Sequence, residues 1–332
     1  MSETDATTSK PSHPTVDPRF AVEIPPILER YHGERPPAPT WFEHALAHRP
    51  ERSFVEVEGC PIELLTWGER GKPGLLFLHG NGAHADWWSF IAPFFASEYR
   101  CAAISWSGMG RSGWRERYSF ETFGAEAMAC AEASGLFEAR EKPIIIAHSF
   151  GGSITSSIAA HHGERLRAAI IVDSGARPPE QQWRGPPQRT RPNRISTTLE
   201  QALTRFRLMP PQDCQNHFIV DYIAREALHP APLEDGSGQN GWTWRFDPFI
   251  WSKMDFQGAW ESGALLAAAK CRLAFVWGAE SKLMQSNVIE YSREHAAFGT
   301  PFVAVPEAEH HVLLDQPLAL IAALRGVMAG WV

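Results

Sequence analysis

No apolar run in this 332-residue chain is long enough to cross a bilayer, which excludes a helical membrane span. The opening stretch, MSETDATTSKPSHPTVDPRF, is polar and proline-rich with no apolar h-region, so no secretory leader is expected. Cysteine is sparse. Cys60, Cys101, Cys130, Cys214 and Cys271 make an odd number without C-x-x-C spacing, which argues against a disulfide framework and a cysteine metal site. A reducing, cytoplasmic location is the expectation. Neither sign of charge dominates: 31 Lys and Arg stand against 38 Asp and Glu, net -7. That balance disfavours nucleic acid or an anionic membrane as partner. No internal repeat is present. A homodimer is left open.

What is abundant is apolar and aromatic. The apolar fraction is 44%, ordinary for a globular chain, but 13 tryptophans is a high count. The length suits one large domain or a core carrying a sizeable insertion. Residues 1–40 hold Pro11, Pro14, Pro18, Pro25, Pro26, Pro36, Pro37 and Pro39, so a flexible arm is expected there, in preference to an arm wrapped on a neighbouring subunit.

After that arm, strand-like runs fall at 54–58, 62–67, 75–78, 101–105, 143–147, 169–173, 273–277 and 302–306. Helical patterns lie at 40–48, 86–96, 119–135, 152–162, 287–298 and 317–329. Apolar strands alternating with amphipathic helices predict an open, mostly parallel α/β sheet covered by helices on both faces. The alternation stops after the sixth strand and resumes near residue 264. The expected organisation is therefore a core of 41–175 and 264–332 with a mainly helical lid at 176–263. Trp183, Trp242, Trp244, Phe246, Phe249, Trp251 and Trp260 fall in the lid. Most are expected to form its own core, with Trp183, Trp244 and Trp251 the candidates for lining an apolar pocket.

The chemistry centres on Ala147-His148-Ser149-Phe150-Gly151-Gly152, directly after an apolar strand and directly before a helix. Small-x-Ser-x-Gly at such a turn is a nucleophile elbow. The turn forces its central residue into a strained conformation, so the residues two before and two after must be small. Two successive glycines are costly for an ordinary helix start, which favours a nucleophilic Ser149 over a simple cap. A serine alcohol needs a base. His310 and His311 follow the last strand.

These motifs resemble the α/β-hydrolase family, and the resemblance spans about residues 50–332. It implies an α/β-hydrolase fold, acyl transfer without cofactor or metal, and His310 as base, with His311 left to the pocket or to packing. Glu309 replaces the family's glycine before the histidine. In His79-Gly80-Asn81-Gly82, Asn81 is implied as an oxyanion donor together with Phe150. The family's usual acid position, Gly-x-x-Asp after strand seven, holds Ser281 in Gly278-Ala279-Glu280-Ser281. Asp173, ending strand six, is preferred as the acid, with Glu280 as the alternative.

Gly108-Met109-Gly110-Arg111-Ser112-Gly113 matches a dinucleotide fingerprint, but no helix opens at its third glycine, so it reads as a structural loop. Asp315 is expected to cap the last helix. The expected activity is hydrolysis of an ester or lactone of moderate apolarity by a carboxylesterase-like enzyme. The alternatives are a carbon–carbon bond hydrolase of ring-cleavage dienoates and a non-catalytic ligand-binding homologue.

Overall fold

The computed structural model describes residues 25–181, 189–256 and 262–331. Eight strands form one sheet: β1 (Glu51–Val57), β2 (Cys60–Trp67), β3 (Gly74–Leu78), β4 (Arg100–Ile104), β5 (Ile144–His148), β6 (Ala168–Val172), β7 (Arg272–Gly278) and β8 (Phe302–Val305). Their order is β1-β2-β4-β3-β5-β6-β7-β8. β2 runs antiparallel to both its neighbours and every other pairing is parallel. The arrangement is that of the α/β-hydrolase fold.

Successive side chains of a strand point to opposite faces, and the sheet shows this directly. Leu75 and Phe77 of β3 enter one core while Leu76 and Leu78 enter the other. Both faces are closed. Helices α1 (Thr40–Ala47), α2 (Phe120–Ala133) and α3 (Phe150–His162) precede the insertion. Ser119 caps α2 by accepting from the Thr122 N–H.

One expected helix is absent. Residues 86–96 form two short 3-10 turns, Ala85–Trp88 and Ala92–Phe94, instead of a continuous amphipathic helix. Pro93 lacks the N–H that a helix interior requires, and Trp87, Trp88, Phe90, Ile91 and Phe95 are all buried, leaving no polar face.

Among its described residues the insertion is not mainly helical. Its described part holds α4 (Leu199–Leu203), α5 (His217–Glu226) and an antiparallel hairpin of Leu228–Pro232 with Asn240–Trp244. It is stitched to the core. Met254–Asp255 pairs with Tyr118–Ser119, and Ile219, Val220, Ile223 and Ala224 of α5 are buried in the same cluster as Phe42 and Phe90. The arm also departs from expectation over its described part. Ile27 and Leu28 are buried, the Tyr31 hydroxyl meets His217 Nδ1 at 2.8 Å, and Arg225 donates to the Gly33 carbonyl at 2.6 Å. Residues 25–33 thus lie on the insertion, and residues 1–24 are outside the described residues.

The chain closes with α6 (Ser262–Ala267), α7 (Ser286–His295), α8 (Val312–Asp315) and α9 (Pro317–Ala329). Gly108 and Gly110 both have positive φ, and a Cβ at Gly108 would sit 2.8 Å from the Tyr118 hydroxyl, so that glycine-rich loop is shaped by packing. Among the described residues no helix is long and apolar enough to cross a membrane.

Candidate active site

β5 ends at His148 and α3 begins at Phe150, leaving Ser149 alone at the turn with φ 53° and ψ -119°. For a residue with a Cβ this is strained backbone. The neighbours explain why it is tolerated. A Cβ at Gly151 would lie 2.7 Å from the His79 carbonyl oxygen, and one at Gly152 would lie 2.7 Å from Ser174 Cβ. Only glycine lets β3, β5 and α3 converge so closely. Ser149 is half-buried and remains reachable.

The loop after β8 brings His310 to this serine. His310 Nε2 lies 2.9 Å from Ser149 Oγ, and His310 Nδ1 lies 2.7 Å from Asp173 Oδ1. A carboxylate oxygen can only accept, so the proton sits on Nδ1 and Nε2 is left to accept from the serine hydroxyl. His310 is 3% exposed and Asp173 1%. Asp173 sits at the carboxyl end of β6 with φ 46°. Its Oδ2 accepts from the Gly278 N–H at 2.8 Å, and its Oδ1 accepts a second bond from the Ser281 hydroxyl at 2.7 Å. Glu280 is exposed on the same turn, and its N–H donates to the Ala308 carbonyl. Ser149, His310 and Asp173 are therefore brought together, and Glu280 is not among them.

His79 shapes the loop after β3. Its Nδ1–H donates to the Gly80 carbonyl at 2.7 Å and its Nε2 accepts from the Trp106 N–H at 3.1 Å. Burial holds this imidazole down to about 3, so it is neutral. Asn81 is exposed. The loop passes close to Ser149, since a Cβ on Gly80 would fall 3.1 Å from Ser149 Cβ. Phe150 is buried, with rings of Phe120, Phe123 and Trp251 at 5.8, 5.6 and 5.6 Å. As the first residue of α3, its N–H has no partner within the helix.

The tryptophans divide. Trp251 stands beside Phe150 and stacks on Phe256 at 6.0 Å. Trp244 instead meets Phe206 at 5.9 Å, and both pack against the core cluster that α5 shares with Phe42 and Phe90. Trp183 and Trp260 lie outside the described residues.

His311 is buried, with Trp87, His148 and His310 at 5.6, 5.6 and 4.8 Å. It packs behind His310. His148 Nε2–H donates to the His310 carbonyl at 3.0 Å. Burial first, and the neighbouring His310 second, hold both His148 and His311 well below the ordinary histidine range. The ring nitrogens of His148, His310 and His311 lie within 4.8 Å of one another. Both nitrogens of His310 are already engaged by Ser149 and Asp173, so a cation here would have to displace one of those bonds.

Two residues escaped the sequence reading. Gln212 of the insertion accepts from the His311 N–H at 3.0 Å and donates to both carboxylate oxygens of Asp315 at 3.0 and 2.9 Å. Asp315 also accepts from the Glu309 N–H at 2.9 Å. Its carboxylate therefore closes the histidine loop and does not cap α9, whose flanking residue is Gln316 with no side-chain cap. The other is Ser281, visible in sequence only as a missing aspartate.

Residues 75–324 match the model of the Alpha/beta hydrolase family. Esterase Rv0045c of Mycobacterium tuberculosis is 26% identical over 294 residues, covering 86% of this chain and 92% of that protein. Its crystal structure superposes with TM-score 0.59 at 21% identity, covering 95% of this chain and 99% of that one. The thioesterase domain from the curacin biosynthetic pathway gives TM-score 0.67 at 21% identity over 83% of this chain and 99% of that one. E-2-(acetamidomethylene)succinate hydrolase gives 0.66 at 14%, over 84% and 99%. With the eight-stranded order, the strained serine between β5 and α3 and a family match over most of its length, the chain belongs to the alpha/beta hydrolase family.

Proposed function

We propose that this hydrolase is a serine esterase that cleaves carboxylic esters or lactones of moderately apolar small molecules through an acyl-enzyme on Ser149. The observation that carries the reading is the unbroken line from Ser149 Oγ through both nitrogens of His310 to Asp173 Oδ1. A ligand-binding homologue would have no use for a buried carboxylate behind a buried imidazole facing a strained serine.

In this reading His310 Nε2 takes the hydroxyl proton as Ser149 Oγ bonds to the carbonyl carbon. The tetrahedral oxyanion faces the N–H groups of Phe150 and Asn81. The Gly80 carbonyl is held by His79, and a planar trans peptide points the N–H of Asn81 to the opposite side. The bond to the leaving oxygen then breaks as that oxygen receives the proton from Nε2. Water, deprotonated by the same nitrogen, attacks the acyl carbon and releases the acid and free Ser149. Asp173 stabilises the transient imidazolium. Phe150, Trp251 and Phe256 supply apolar walls, which favours an apolar acyl or alcohol group. The esterase relative supports the same bond type.

A fluorophosphonate probe together with p-nitrophenyl butyrate tests the proposal. Ser149 is expected to be the labelled residue, and Ser149→Ala is expected to lose both labelling and turnover. Turnover of a ring-cleavage dienoate with no ester or lactone hydrolysed would assign carbon–carbon cleavage instead. Failure to label Ser149 in the folded protein would leave the binding-protein reading.

A further inference from the structure

The acid has moved to β6, and the position after β7 that would otherwise hold it carries Ser281. That serine is not an empty place. Its hydroxyl, buried, donates to Asp173 Oδ1 at 2.7 Å, the same oxygen that accepts from His310 Nδ1. The direction of this bond follows from its surroundings. Ser281 Oγ accepts from the N–H groups of Leu283 at 3.2 Å and Met284 at 3.4 Å, so its one proton is left for the carboxylate. The Gly278 N–H takes the other oxygen. Three donors on one carboxylate leave it a single orientation.

An aspartate at 281 would set two carboxylates against the same imidazole nitrogen, and like charges at that separation cannot both ionise. A serine converts the competitor into a donor. We infer that Ser281 is a positioning residue for ester hydrolysis, acting through Asp173: it holds the carboxylate aimed at His310. The inference rests on the role proposed above for Ser149, His310 and Asp173.

His148 and His311 also face His310, each at 4.8 Å between rings, and burial above all holds both well below the ordinary histidine range. A hydrogen bond to the ionised form lowers a carboxylate's proton affinity. Without the hydroxyl, the Asp173–His310 pair holds its proton more tightly, and His310 is available as a base only at higher pH. The lost bond also frees the carboxylate to rotate away from Nδ1. Ground-state substrate binding does not involve it.

The test is steady-state hydrolysis of p-nitrophenyl butyrate by the full chain across pH 5 to 9. Ser281→Ala is expected to lower kcat about ten- to a hundred-fold, the usual worth of a hydrogen bond to a charged group, with KM within about twofold. The acid limb of kcat/KM is expected to move upward by about half a pH unit or more. Ser281→Thr, which keeps the hydroxyl, is expected to stay close to the parent, and Ser281→Val, similar in shape to threonine, to behave like alanine. A purely structural role for Ser281 would lower Tm without moving the acid limb. If Ser281→Ala keeps the parent kcat and acid limb, the inference is overturned. If alanine does not fold, equal kinetics and equal acid limbs for threonine and valine overturn it. Ser149→Ala is measured alongside. Retained turnover there would sink the serine mechanism itself, while its loss with no Ser281 effect would sink only the present inference.

Discussion

At the scale of single residues, the site depends on which carboxylate faces His310. Asp173 does so at 2.7 Å, and Glu280, although only one residue from the usual position, is exposed. Neutralising Asp173 removes the partner that fixes the His310 tautomer. Asp173→Asn is accordingly expected to lower kcat by about 10⁴, as loss of a triad acid does. Glu280→Gln should leave kcat within about twofold. Burst and steady-state hydrolysis of p-nitrophenyl esters measures both, and a large loss in the glutamine variant alone would reverse the assignment. Ser149 and His310 were legible in sequence because their signals are local: a strand, a turn and two glycines in one case, a histidine just past the last strand in the other. Asp173 could be reached only by elimination. Ser281 as a donor could not be read at all, since its partner lies 108 positions away.

At the scale of elements, the histidine loop between β8 and α9 is held from two sides. Gly278, at the end of β7, packs so tightly against the backbone carbonyls of Ala308 and Glu309 that a side chain there would displace the loop. From the other side, Gln212 ties the insertion to His311 and Asp315, and Asn216 donates to the Leu314 and Asp315 carbonyls at 2.7 and 3.1 Å. The insertion is thereby part of the scaffold that holds the His310 loop. Gln212→Ala leaves the His311 N–H without its acceptor and takes from Asp315 its side-chain amide donor, leaving the Glu309 N–H on the carboxylate. It should cost about 1–3 kcal/mol of stability, the usual penalty for buried unpaired groups. It should also lower kcat several-fold with an unchanged acid limb. Chemical denaturation paired with ester kinetics reads both, and an unchanged midpoint would show that the tie carries no load. The sequence signalled an interruption at 176–263 but not this attachment. Proline pairs and scattered aromatics mark where an α/β repeat breaks, whereas the hairpin 228–244 depends on pairing across a turn that single-residue preferences barely specify.

For the molecule as a whole, three buried imidazoles set the response to acid. His79 is held down to about 3, and His148 and His311 well below the ordinary range, in each case chiefly by burial. Their stabilisation is fully present above about pH 6.5, where the unfolded chain is also unprotonated. It is lost as pH falls toward the folded values, because the unfolded state takes up protons the folded state refuses. Each such group contributes a slope of up to about 1.4 kcal/mol per pH unit. Asp315 acts oppositely. Burial raises it to about 6, so its contribution is present below about pH 4 and is lost as pH rises through about 6. Glu126, raised chiefly by burial, acts as Asp315 does, whereas His217 and His229, lowered chiefly by burial, act with the three imidazoles, so a net fall in stability on acidification is expected. Urea midpoints at pH 7.5 and pH 5 should show a clearly lower value at pH 5, and His311→Gln should reduce the difference. Equal midpoints in the parent would contradict the assignment of these histidines as buried and neutral.

What the sequence by itself determined is the part written in short-range chemistry. The eight strands of the sheet all fall within a few residues of their expected runs, and for β2 to β7 the reason is that an apolar run buried on both faces is a local statement. The elbow is equally local: Ser149 is strained because the residues beside it are small enough to let three backbones meet. The tertiary structure alone decided what those local pieces meet. It chose Asp173 for His310 across 137 positions and filled the place of the missing aspartate with the hydroxyl of Ser281. Those outcomes depend on which side chains the packed sheet brings within hydrogen-bond distance. No spacing along the chain encodes that distance.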